Sequence, residues 1–246
     1  MNRARSFGAV AELYDLYRPS PPPGLAEHLG PIHGLDVLDV AAGTGLVTRY
    51  LLSLGATVTA VEPDPGMRAV LERRSPSVRV LIGVAEDLPV AEATFDVVVT
   101  SSAWHWFAQP SSANEFARVL RDHGRLFILG NGLDRERHWL EELADSGRSE
   151  DRTPPDDAGR HASQAHEDLA EPFVDMESFA VPWVWRRTEE ELLGLLQTYS
   201  AAIVRDADER TVLGERAREE LQRAAPGGVH DVPMTMVGVR ATRRAR

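Results

Sequence analysis

Val37-Leu38-Asp39-Val40-Ala41-Ala42-Gly43-Thr44-Gly45-Leu46-Val47-Thr48 is the stretch whose reading decides the fold. It opens as a short apolar run, passes an acid and turns through small residues. A helix-like segment, Leu46 to Leu54, follows. Strand, tight small-residue loop and helix N-terminus form the frame in which α/β sheets hold nucleotide-type ligands. Gly43 and Gly45 lack a Cβ and accept positive φ, so backbone there can approach a ligand closely. Alanine at 41 is a mild change if its φ stays negative. A third glycine, which a nicotinamide dinucleotide site would carry, is replaced by Thr48. Asp39 at the strand end would repel a pyrophosphate and attract a cation.

That charge suits a sulfonium with a free ammonium group. The stretch resembles the first motif of the class I S-adenosylmethionine-dependent methyltransferases, acid-x-Gly-x-Gly-x-Gly, with Ala41 at the place of the first glycine. The resemblance implies an α/β fold: a Rossmann-like, seven-stranded, mostly parallel, doubly wound sheet ending in an antiparallel hairpin. It implies S-adenosyl-L-methionine as cofactor and methyl transfer to O, N or C of a small molecule. Two rivals stay open: a protein that keeps the pocket without turnover, and an NAD-dependent oxidoreductase.

Moving outward, Thr57 to Val61 reads as the second strand, and Glu62 ends it. An acid about 20 residues beyond the first loop is placed to accept bonds from both ribose hydroxyls. Asp64 with Pro65 behind it reads as a helix cap, and Met67 is an adenine contact or a core residue. Val78 to Ile82 is a third strand, leading to Gly83-Val84-Ala85-Glu86-Asp87. In the resembled family this loop touches adenine, often with an Asp where this chain has Val84, so Ala85 and Glu86 are the candidates. Phe95 to Thr100 is the fourth strand. Its end runs Ser101-Ser102-Ala103-Trp104-His105-Trp106-Phe107. Strand C-termini are where such sheets hold ligands. Ser101 is assigned to the cofactor and Trp104 and Trp106 to the substrate; His105 either takes a proton from a hydroxyl nucleophile or makes a structural hydrogen bond under the arm. His105-Trp106-Phe107 also resembles a subgroup acting on small acids or undefined metabolites.

Upstream, Phe7 to Tyr17 has apolar residues at helical spacing and stops before Pro19 and Pro21-Pro22-Pro23. Its Tyr14-x-x-Tyr17-Arg18-Pro19 segment resembles the N-terminal arm of small-molecule methyltransferases. The resemblance implies an arm folded over the cofactor, with Tyr14 above the reacting centre and Arg18 pairing with a carboxylate; the alternative is that Tyr14 and Tyr17 only pack the arm onto the core. Downstream, Ser112 to Arg121 is a helix, Asp122-His123-Gly124 a turn and Leu126 to Leu129 the fifth strand. Asn131 to Asp134 reads as a turn, and residues 134–171 as an inserted cap or mobile segment. Phe173 to Trp185 alternates as a strand. Thr188 to Ile203 and Asp208 to Ala224 are helices, and Val232 to Thr242 closes the chain as a strand. One domain is expected over 1–246, with the cofactor core and arm in 1–133 and the last strands and helices in 172–246.

The chain has 27 basic against 38 acidic residues and a net charge of −11. Such a surface disfavours nucleic acid. All the basic residues are arginine, which excludes lysine Schiff-base chemistry, and the absence of cysteine excludes thiolate nucleophiles and disulfides. No apolar run is long enough to span a bilayer, and Met1 to Phe7 has no secretory h-region. A cytoplasmic protein acting on a small molecule is expected, with no nucleic acid, membrane or metal partner and with a homodimer allowed for. His161 and His166 are five residues apart, off a common helical face, and do not form a metal pair.

Overall fold

The computed structural model describes residues 7–133, 165–199 and 206–245. Its strands are the apolar runs read above. In β1 (Asp36–Val40) every residue after Asp36 is buried. Successive side chains feed opposite layers, as the two-residue period of a strand demands. Leu38, Val40, Val98, Leu126 and Ile128 enter one core with Phe116 and Val119, whereas Val37, Val97, Val99, Phe127 and Leu129 enter the other with Leu25, Leu29 and Leu51. Burial on both faces explains why these strands read as continuous apolar runs.

The elements follow as α1 (Ala11–Tyr17), α2 (Leu25–Leu29), β1, α3 (Leu46–Ser53), β2 (Thr57–Val61), α4 (Pro65–Arg74), β3 (Arg79–Leu81), β4 (Phe95–Ser101), α5 (Ser111–Val119) and β5 (Leu120–Leu133). Then come β6 (Phe173–Thr188), α6 (Glu189–Leu196), α7 (Ala207–Ala224) and β7 (Val229–Arg243). The seven strands lie in the order β3-β2-β1-β4-β5-β7-β6. The first five are parallel, and β7 runs antiparallel to both β5 and β6. The expected sheet with its terminal antiparallel hairpin is therefore present. Strand order reverses between β1 and β4, which opens a crevice at their carboxyl ends.

Several boundaries differ from the sequence reading. The arm starts as a 3-10 turn, Phe7–Val10, before α1 begins. Asn131 to Leu133 is not a turn: β5 runs on through it, because β7 pairs with it as far as Leu133↔Met234. His123 does sit in a turn geometry, at φ 61, where four residues of β5 stand against one of β4 between the Phe95↔Leu120 and Val97↔Arg125 pairs. The helix expected from Thr188 begins one residue later as α6 and ends at Leu196. Thr188 is its cap: its Oγ1 accepts from Glu191 N (3.3 Å), while Glu191 Oε2 accepts from Thr188 N (2.8 Å). Asp206 and Glu209 make the same reciprocal pair at the start of α7. The outer edge of the sheet is β6, where Pro182 removes one N–H donor and so discourages further strand pairing.

The arm docks on α6. Tyr17 lies against Gly194 so closely that a Cβ there would overlap its ring. Most of the segment expected as an inserted cap or mobile insertion, residues 134–164, lies outside the described residues.

Candidate active site

The loop after β1 is held in three left-handed turns: Ala41 (φ 56), Gly43 (φ 59) and Gly45 (φ 87). The sign expected for Ala41 is thus corrected. An alanine in this region carries a strain of about 1 kcal/mol that glycine would not. The two glycines do different work. A Cβ on Gly45 would overlap the Leu71 side chain of α4, so that position serves packing of α3 against α4. A Cβ on Gly43 would meet no atom within 4 Å, so that residue faces open space.

Two buried acids flank the loop. Glu62 is 6% exposed; its Oε2 accepts from Gly43 N and its Oε1 from Asp64 N, both at 2.8 Å. Glu62 therefore braces the loop from the end of β2. Asp39 is 1% exposed, and its Oδ2 accepts from Thr48 Oγ1 at 2.6 Å. Burial pushes the Asp39 carboxyl up to about 7; the Thr48 hydroxyl pulls it down, and the nearby charge of Glu62 adds to the rise. Burial also raises Glu62, against the bonds it accepts from Asp64 and Gly43. Thr48 is the residue that replaces the third glycine, and what it supplies there is a hydroxyl for Asp39.

A cavity lies in front of this loop, lined by Tyr14, Arg18, Asp39, Gly43, Ser101 and Asn131 among others. The arm forms its roof. Arg18 Nε and Nη2 donate to Thr198 Oγ1 and Thr198 O, each at 2.9 Å. Its guanidinium stands 4.3 Å from the centre of the Tyr199 ring and 5.1 Å from that of Tyr14. Arg18 thereby holds the turn that follows α6. Arg49 fastens the arm to the loop: Nη1 donates to Thr44 O (2.8 Å) and Nη2 to Asp15 Oδ1 (2.6 Å).

The aromatic stretch after β4 divides. A 3-10 turn over Trp104–Trp106 sends successive side chains in different directions. Trp104 goes inward, 7% exposed, with its ring 6.0 Å from those of Phe107 and Phe116 and its Nε1 donating to Asp168 Oδ2 (3.0 Å). It packs the core rather than framing the substrate space expected of it. His105 and Trp106 go outward and lean together, with ring centres 4.6 Å apart.

Of the remaining candidates, Ser101 lines the cavity. Ala85 is buried in the core, so only its backbone can face a ligand. Glu86 Oε1 accepts from Ala108 N (2.6 Å) and ties the loop after β3 to the aromatic turn. Met67 packs with Ala11, Val70 and Tyr14. Asp64 caps α4 as expected, accepting from Gly66 N and Met67 N. His166 Nε2 lies 3.1 Å from Ser178 Oγ, and His161 lies outside the described residues. Sequence reasoning missed Thr48, Arg49, Asn131, Asp168 and Thr198. Only Thr48 carried a local signal, as the residue standing in for a motif glycine.

The comparisons agree with this geometry. Residues 38–128 match the family model described as a methyltransferase domain. An uncharacterised methyltransferase of Mycobacterium tuberculosis is 35% identical over 218 residues, covering 88% of this chain and 85% of that protein. The malonyl-[acyl-carrier protein] O-methyltransferase of Halorhodospira halophila is 32% identical over 197 residues, covering 74% of this chain and 66% of its own. In fold, the Haemonchus contortus phosphoethanolamine N-methyltransferase 2, solved with phosphomonomethylethanolamine and S-adenosylhomocysteine, aligns with a TM-score of 0.59 at 16% identity, over 98% of this chain and 60% of that one. The chain belongs to the class I S-adenosylmethionine-dependent methyltransferases.

Proposed function

We propose that this methyltransferase takes its methyl group from S-adenosyl-L-methionine and delivers it to a small molecule in the cavity under the arm. The observation that carries the reading is the pair of buried carboxylates around an open glycine loop. A carboxyl held at about 7 by burial is stabilised by an arriving cation, and the cofactor's ammonium supplies one. Glu62 keeps further lone pairs on the two oxygens that brace the loop, and these suit the ribose hydroxyls. Gly43 leaves room for a ligand, and beside it Thr44 Oγ1 is a buried hydroxyl without a partner among the described residues.

In this reading Asp39, Ala41, Gly43 and Glu62 hold the cofactor from the β1 and β2 ends, and Gly45 shapes the loop behind them. Ala85 and Glu86 border the adenine, and Ser101 borders the cavity near the methionine end. Tyr14 and Arg18 close the roof, and the exposed Trp106 and His105 are assigned to the acceptor. When bound, the cofactor supplies a methyl group already activated by the sulfonium. The protein's own task is then to align a nucleophile at roughly 3–3.5 Å and exclude water. His105 takes the proton where the nucleophile is a hydroxyl. The solvent-facing charge, −11 overall, fits a small acceptor rather than nucleic acid.

Calorimetry with S-adenosylhomocysteine tests the cofactor assignment. The wild type should bind, and Glu62→Ala should bind at least ten times more weakly. An unchanged affinity in the variant removes Glu62 from the site. A mass-spectrometric screen for methyl transfer to candidate metabolites then identifies the acceptor.

A further inference from the structure

On β5 the residues Phe127 and Leu129 turn their side chains into one apolar layer. Two residues on, the same face carries Asn131, past the point where β4 ends at Ser101. Asn131 lines the cavity together with Ser101, Ser102 and Met236. Its Oδ1 accepts from Trp183 Nε1 at 3.3 Å. An indole N–H only donates, so this contact settles which way the amide lies: oxygen to Trp183, NH2 away from it. The Nδ2 atom is buried and has no hydrogen-bond partner among the described residues. A buried donor left without a partner forfeits the hydrogen bonds it makes to water in the unfolded chain. An apolar residue would continue the β5 pattern without that cost. Beside it, Ser102 is held at φ 56, a left-handed serine at the rim of the same cavity.

We infer that Asn131 Nδ2 is the recognition donor for the methyl acceptor, and that the acceptor presents a carboxylate or carbonyl oxygen to it. The assignment rests on the cofactor reading above, since it places the acceptor on the β4–β5 side of the cavity opposite the Asp39 loop. It narrows the substrate class from any small molecule to one bearing such an oxygen. Trp183 is a positioning residue that acts through the Asn131 amide.

The test uses the full chain with S-adenosylhomocysteine and two probes of matched skeleton, succinate and 1,4-butanediol. Side-chain amide NMR reads Asn131 directly, its signal being the one lost in Asn131→Asp. That variant keeps an oxygen for Trp183 and removes the donor. The expected result is a shift of the Asn131 NH2 signal with succinate but not with the diol. Succinate should bind at least fivefold more weakly to Asn131→Asp, with the S-adenosylhomocysteine affinity unchanged within twofold. If S-adenosylhomocysteine binds normally but the Asn131 signal stays still, or the variant holds succinate as well as the wild type does, the recognition role is overturned and the cofactor reading stands. If S-adenosylhomocysteine does not bind the wild type, the cofactor reading falls and this inference with it.

Discussion

Replacing Asp39 by asparagine should give the unliganded protein a stability advantage that grows as pH rises, and the size of the effect follows from one buried carboxyl. In the unfolded chain this group ionises at its ordinary value of 3.8; in the folded protein it ionises at about 7. Below 3.8 both states hold the proton, and Asp39 contributes nothing to the pH dependence. Between these values the folded state holds a proton that the unfolded chain has released, so stability falls as pH rises, by about 1.4 kcal/mol per pH unit. Above 7 both states are ionised and the penalty levels off at about 4 kcal/mol. Between pH 5 and pH 8 Asp39 should therefore remove about 2–3 kcal/mol from the wild type. The amide in the Asp39→Asn variant is neutral throughout, and its oxygen can still accept from Thr48. Glu62, raised in the same direction, is present in both proteins and largely cancels from the comparison. For a chain of this size the difference amounts to about 5–10 °C in Tm. Urea unfolding of both proteins at several pH values measures it. The stability advantage of Asp39→Asn over the wild type should widen steadily from pH 5 to pH 8. The same variant should lose S-adenosylhomocysteine affinity, and the proton that the wild type releases on binding at pH 6 should vanish, as read by calorimetry in two buffers of different ionisation enthalpy. A stability difference that is flat across pH would refute the reasoning, since it would mean that the carboxyl is not held protonated by burial.

Three further outcomes test the roof and the loop. Arg49→Ala cuts the link between Asp15 on the arm and Thr44 on the loop, and should weaken S-adenosylhomocysteine binding about three- to tenfold while the arm becomes more sensitive to limited proteolysis. Gly194→Ala would ordinarily stabilise a helix by about 0.5–1 kcal/mol. Here the added methyl meets the Tyr17 ring, so a lower Tm and a protease-sensitive arm are expected. Ala41→Val puts a β-branched residue at φ 56 and should lower stability by about 1–2 kcal/mol in urea unfolding, whereas Ala41→Gly should not.

The sequence reading succeeded where the physics is local. Asp64 with Pro65 announces a helix start because a short acid accepts the first free N–H groups, and Asp64 does so. Glu62 was recognisable because a parallel strand ends where a loop from its neighbour passes, a spacing set by the βαβ unit. The aromatic turn was found as a unit but misread residue by residue, since a 3-10 turn scatters neighbours and only packing decides which goes inward.

What the amino-acid order alone determined is the succession of apolar runs and small-residue turns, hence the parallel sheet, its crevice and the acids at its rim. Alternation and turn chemistry act over a few residues, so they are written in short stretches. The folded chain alone decided the left-handed φ of Ala41, the inward turn of Trp104 and the hold of Thr198 on Arg18, 180 residues away. It also decided the proton on Asp39 and the direction of the Asn131 amide. Each of these depends on burial or on a partner brought from a distant part of the chain, and neither exists until the layers have closed.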